Sequence, residues 1–217
     1  MHDEAMILKH PLGVRIFHYL LIASFLPLAV TGLVLYFKPL AENDMNLVMQ
    51  IHVVAGAILS LDAVAFFLIG LERVVLFIKR MFTISKDDVK WFSILGGYPQ
   101  KFLFGKKVAV PPMGKYNSGQ KLFGVCVLIG GTVLIGTGWV LWAFPHNLPR
   151  AAVAFMGSLH TFFGILLTLF LPVHLFLGVY MFADFKAMIL DGRIPYGEAK
   201  AMAPLWVEKE IMPLKRP

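Results

Sequence analysis

Four apolar stretches, at roughly 14–37, 48–70, 122–143 and 152–183, are each long enough to cross a bilayer, which takes about 20 apolar residues in a helix. No water-soluble globule absorbs them: with 58% apolar side chains, a mean hydropathy of +0.73 and 15% charged residues in 217, the apolar surface exceeds what a domain of this size encloses. Only a structure that satisfies its own backbone can sit in lipid. The expected fold class is an all-α membrane protein, a four-transmembrane-helix bundle forming a single membrane domain over 1–217. The first run is long and lacks a small-residue cleavage pattern, so it reads as a retained helix rather than a leader.

Charge sets the direction of the helices. Eighteen of the twenty Lys and Arg residues, counting Arg15 at the very start of the first span, lie on the side of the N-terminal segment, the connection 71–121 and the tail 184–217; the other two connections hold only Lys38 and Arg150. Basic loops stay on the cytoplasmic side, so a multi-pass protein of the bacterial inner membrane with both termini cytoplasmic is expected. The same placement explains the net charge of +7 without a nucleic-acid partner. Beyond the second span, "LERVVLFIKRMF" (71–82) alternates charged and apolar residues at helical spacing, as an interfacial helix does. The rest of that connection reads as a polar loop containing Gly and Pro, without helical periodicity. No internal repeat stands out.

The single cysteine, Cys126, falls inside an apolar run. That excludes an internal disulfide, a covalent haem attachment of the Cys-x-x-Cys-His type and a cysteine-held iron–sulfur cluster. Any such cluster belongs to a partner.

Histidine is the remaining candidate ligand type. His18, His52, His160 and His174 lie in the spans, while His2, His10 and His146 lie outside them. An ionisable group in lipid is costly and faces a partner or cavity; a lone histidine is satisfied by a neighbouring carbonyl or hydroxyl, but four together ask for more. His160 and His174 are fourteen residues apart, about 21 Å along one helix face. With antiparallel helices, His52 shares the outer depth with His160, and His18 shares the inner depth with His174. Two bis-imidazole levels suit two six-coordinate b haems, whereas zinc or copper recruits three or four clustered ligands. A haem-free metal-binding anchor or transporter is the rival reading. His52, His160 and His174 each have glycine four residues on, in "HVVAG", "HTFFG" and "HLFLG", where a flat macrocycle fits against the backbone. The third span has no histidine, and its "GGTVLIGTG" (130–138) reads as a packing surface.

Four spans, this histidine frame and "GKYNSGQK" (114–121) resemble the gamma subunit of respiratory membrane-bound formate dehydrogenases, a di-haem cytochrome b. The histidine frame alone is shared with the cytochrome b subunits of nickel–iron hydrogenases. The resemblance implies a non-catalytic subunit: a molybdenum or tungsten subunit oxidises formate outside the membrane, an iron–sulfur subunit carries the electrons, and the gamma subunit delivers them to menaquinone or ubiquinone. It implies His52 and His160 on the outer haem and His18 and His174 on the inner one. Asn117, Gly119 and Gln120 fall in the family's quinone pocket beside the inner haem, and a trimer of heterotrimers is the implied assembly. Amide side chains offer donors to quinone carbonyls; equally, Asn117 caps the third helix and the lysines reach toward headgroups. Asp62 is an intramembrane carboxylate and a site by default, Arg15 pairs with a haem propionate or reaches toward headgroups, and Pro27 and Pro172 bend their helices.

Overall fold

The computed structural model describes residues 5–213; His2 and the last basic residues, Lys215 and Arg216, lie outside them. Four long helices form: α1 (Leu12–Phe37), α2 (Glu42–Ile69), and, beyond the long connection, Ser118–Ala143 and Arg150–Tyr180. Each of the four is long and apolar enough to cross a membrane. All four begin earlier than hydropathy alone predicts, the second and third by six and four residues. The turns opening at Glu42 and at Ser118 carry polar residues that lower the local hydropathy; at the first of them Glu42 and Asp44 meet the positive end of the dipole.

Contacts divide the chain into two compact units. The first contains 12–74 and 126–180, and its polarity is the reverse of a soluble core. Ser24, Thr31, Ser60, Asp62 and Thr137 are buried, while Val30, Leu61, Leu169 and Phe176 stand open. Lipid is the solvent that suits such a surface. Inside it, Phe17 stacks on Phe66 with ring centres 4.0 Å apart, and Trp139 Nε1 donates to Ser60 Oγ at 3.0 Å.

The second unit contains 1–11, 75–125 and 181–217. Its connection is more ordered than the sequence suggests. After α3 (Leu71–Phe82), which takes the expected bounds, come α4 (Lys86–Ser93) and α5 (Tyr98–Phe104), then α6 (Ser118–Ala143) opens. The expectation of a non-helical loop there is corrected: both helices are too short to show a period, and local signals start them instead. Ser85 and Asp88 form a reciprocal capping box on α4, and Pro99 occupies the first turn of α5.

The chain ends are tied together in this unit. Strand β1 (Met6–Leu8) pairs antiparallel with β2 (Arg193–Pro195), Ile7 facing Ile194, beyond α7 (Arg150–Tyr180) and α8 (Phe182–Lys186). Ile7 and Ile194 pack with Ala187, Ala199, Trp206 and Val207 into a buried apolar core. Gly192 turns the chain into β2 at φ +81°, and its carbonyl accepts from the N–H of Lys9 and His10 at 2.8 and 3.0 Å. Lys9, itself buried, is ion-paired with Asp184.

Candidate functional site

The four membrane histidines meet as two pairs. His52 and His160 have ring centres 6.1 Å apart with planes at 70°; His18 and His174 have theirs 6.3 Å apart at 57°. Helix register explains the match. His52 stands ten residues beyond Glu42 in α2 and His160 ten beyond Arg150 in α7, while His18 is six beyond Leu12 and His174 six before Tyr180. Along α7 the two levels are fourteen residues apart, about 21 Å.

The spacing fits an axial pair. Two imidazoles bonded at about 2 Å on opposite sides of one metal ion hold their ring centres about 6 Å apart. No group of three or more His, Cys, Asp or Glu able to hold a metal occurs among the described residues, as expected if a macrocycle supplies the remaining ligands. The helix faces one turn on are open beside the rings: a Cβ on Gly56 or Gly164 would meet only a leucine methyl at 3.9 Å, and on Gly178 nothing within 4 Å. The residues present fit b-type haem at both levels.

The imidazoles of His52 and His160 are oriented by neighbouring hydroxyls. Thr31 Oγ1 lies 2.8 Å from His52 Nδ1, and Thr137 Oγ1 lies 2.9 Å from His160 Nδ1. Each hydroxyl also donates to the carbonyl one turn back, Pro27 or Val133, at 2.6 Å. A hydroxyl has one proton, and the carbonyl takes it, so the oxygen accepts from Nδ1–H. Both rings therefore carry the proton on Nδ1 and keep Nε2 free for a metal. The residue after each threonine is glycine, and it abuts the same ring: a Cβ on Gly32 would lie 3.5 Å from His52 Cε1, one on Gly138 3.2 Å from His160 Cε1.

This arrangement occurs twice and was not foreseen. "LAVTG" (28–32) precedes "HVVAG" (52–56), and "LIGTG" (134–138) precedes "HTFFG" (160–164). The short pattern L-x-x-T-G followed by H-x-x-x-G is the signal that locates it. Leu28 and Leu134 stand in matching places, each as the neighbour of the later glycine, Gly56 and Gly164. Reading "GGTVLIGTG" as packing alone is corrected at its end: Gly130 does pack on Phe163 and Leu167, but Thr137 and Gly138 serve His160. At the other level the pattern lapses, and His18 Nδ1 is buried without a protein partner.

Of the subsidiary residues, Arg15 has its Nε buried without a hydrogen-bond partner, one turn before His18. Asp62 is buried with Oδ2 unpartnered.

In the second unit, Asn117 and Gln120 hold each other: Asn117 N–H donates to Gln120 Oε1 and Gln120 N–H to Asn117 Oδ1, both at 2.9 Å. Asn117 is thus the cap of α6, and the cap leaves both NH2 groups for other partners. Gly119 admits the Trp91 ring, since a Cβ there would lie 2.9 Å from its edge. Lys121 donates to both oxygens of Asp88 at 2.9 and 2.8 Å and to the Thr83 carbonyl at 2.9 Å, while Ser118 donates to Asp88 at 2.8 Å. Burial alone would raise the Asp88 carboxyl, but the bonds from Lys121, Ser85 and Ser118 outweigh it and hold the group at about 2. Burial, with Arg80 and Lys9 nearby, brings Lys115 down to about 8. A cavity of about 210 Å³ is lined by Gly114, Asp88, Lys121 and Trp206 among others; its walls do not include Asn117, Gly119 or Gln120.

Comparison with known proteins adds the family. The model of the prokaryotic cytochrome b561 family matches residues 9–190. The chain is 23% identical over 214 residues to the formate dehydrogenase cytochrome b556 subunit of Haemophilus influenzae, covering 97% of this chain and 86% of that protein. It is 27% identical over 124 residues to the nitrate-inducible formate dehydrogenase cytochrome b556 subunit of Escherichia coli K12. That match spans about half of each protein, 56% of this chain and 55% of the relative.

Proposed function

The chain belongs to the prokaryotic cytochrome b561 family, whose work is electron transfer through haem b held in a membrane, and we propose that it is the di-haem cytochrome b subunit of a membrane-bound formate dehydrogenase. An iron–sulfur subunit on the outer side hands electrons to the His52–His160 level, and they leave from the His18–His174 level to quinone at the cytoplasmic side. The observation that carries this reading is the pair of imidazole couples with ring centres 6.1 and 6.3 Å apart, at two depths of one helix. Names borne by the relatives support formate as the fuel, and the basic connections support the inward direction.

Haem b bound at each level supplies reversible one-electron transfer. The chain supplies the rest. His52, His160, His18 and His174 bind the metal, Thr31 and Thr137 orient two of them, and the apolar walls exclude water from the path. Asn117 and Gln120 offer their uncommitted NH2 groups to the quinone carbonyls, with Gly119 keeping the helix start slim. The chain has no role in formate chemistry, which belongs to a molybdenum or tungsten subunit of the same complex.

The test is to purify the protein from its native membrane. Two b haems per chain, co-purifying iron–sulfur and molybdenum or tungsten subunits, and formate-driven reduction of both haems with reoxidation by menaquinone or ubiquinone are expected. A haem-free protein rejects the reading, and a co-purifying hydrogenase moves it to the neighbouring complex. Proton uptake from the cytoplasmic side during turnover tests the direction.

A further inference from the structure

We propose that Thr31 and Thr137 are positioning residues that lower the reduction potential of the His52–His160 haem below the value its two imidazoles alone would give it. The inference rests on the haem reading above and goes beyond it to how electrons are driven along the path. Each threonine oxygen accepts from a ligand Nδ1–H at 2.8 or 2.9 Å while its own proton goes to a helix carbonyl at 2.6 Å. Such a bond raises the basicity of the opposite nitrogen, Nε2. A more basic axial ligand favours the oxidised form of the bound haem and so lowers its potential, second-shell hydrogen bonding being one of the levers a protein has over such a group. Both ligands of this level receive the bond, each from its own helix neighbour.

The other level lacks this device at His18, whose Nδ1 is buried with no protein partner. The two levels also differ in their place in the sequence pattern. The residue thirteen before Thr137, corresponding to His18 before Thr31, is Gly124; the residue fourteen after His52, corresponding to His174 after His160, is Phe66. Neither His18 nor His174 thus has a counterpart at the matching position of the other hairpin.

Potentiometric titration of the purified holo-complex tests this with Thr31→Val, Thr137→Val, the double variant and the corresponding Thr→Ser variants. His52→Ala identifies which spectral component is the braced haem. Its midpoint is expected to rise in each Val variant, to rise furthest in the double variant and to return with serine, while the other midpoint stays. If Val variants lose that haem and Ser variants keep it, the hydroxyl is needed to present the ligand, and the positioning role stands. Unchanged midpoints with both haems retained in the double variant overturn the inference, as does a shift confined to the other haem, or haem loss in Ser and Val variants alike. Absence of haem from the unaltered protein is a different failure, that of the underlying reading.

Discussion

Asn117 and Gln120 cap one another at the start of α6, each amide oxygen accepting the other's backbone N–H at 2.9 Å. The oxygens are committed to the helix and the NH2 groups are not, which separates the two roles these residues were given. Asn117→Asp and Gln120→Glu keep the accepting oxygens and remove the donors. Both variants should fold with unchanged thermal stability and retain both haems, while quinone reduction falls about tenfold, the scale of one hydrogen bond to a buried ligand. Asn117→Ala should in addition lose about 1 kcal/mol with the cap. Normal quinone turnover in the Asp and Glu variants would reduce the stretch to a helix cap.

Ligand loss should follow the spatial pairs. His52→Ala and His160→Ala are expected to deplete one and the same haem, and His18→Ala and His174→Ala the other, because an axial site with one imidazole retains little affinity. Difference spectra of the four variants check this. A common haem lost from His52 and His174 variants would contradict the pairing.

Acid should loosen the α4–α6 junction selectively. Asp88 is held at about 2 against an ordinary 3.8, so its folded-state pKa is depressed. The stability it contributes is present above the ordinary value and is lost as pH falls from about 4 toward 2, some 2 kcal/mol in all. Hydrogen exchange across 85–121, followed through that window, should quicken in the wild type. Asp88→Asn strands the Lys121 ammonium, cutting stability at neutral pH by about 3 kcal/mol and flattening the acid response.

The tie between the chain ends should depend on a single glycine. Gly192 sits at φ +81°, and a Cβ there would run into the His10 carbonyl oxygen. Gly192→Ala is expected to cost about 2 kcal/mol, opening the β1–β2 pair to protease while leaving haem content unchanged. Equal protease resistance in the variant would show that the buried cluster around Ile7 and Ile194 closes the ends without the turn.

The four spans and the meeting of the histidines were legible because both follow from long-range regularities: apolar length, and depth along antiparallel helices. α3 was legible for the same reason, its period being strong over twelve residues. α4, α5 and the β1–β2 pair were not, since a capping box of two residues and a three-residue strand leave no periodic trace. Thr31 and Thr137 were hidden differently. A threonine bonded to the carbonyl four residues back looks in sequence like any other small residue of an apolar helix, and its second contact is visible only when the neighbouring helix is in place.

Each imidazole of the His52–His160 level is oriented by a threonine from its own hairpin: Thr31 and His52 belong to α1 and α2, Thr137 and His160 to α6 and α7. The hairpin is therefore a finished half-socket as soon as its two helices are inserted. During synthesis the N-terminal hairpin emerges first and can wait in the bilayer with its ligand already aimed, before residues 70–117, which hold α3 to α5, and then the second hairpin are made. On the haem reading, assembly is expected to join two prefabricated halves across a cofactor that acts as the rivet between them.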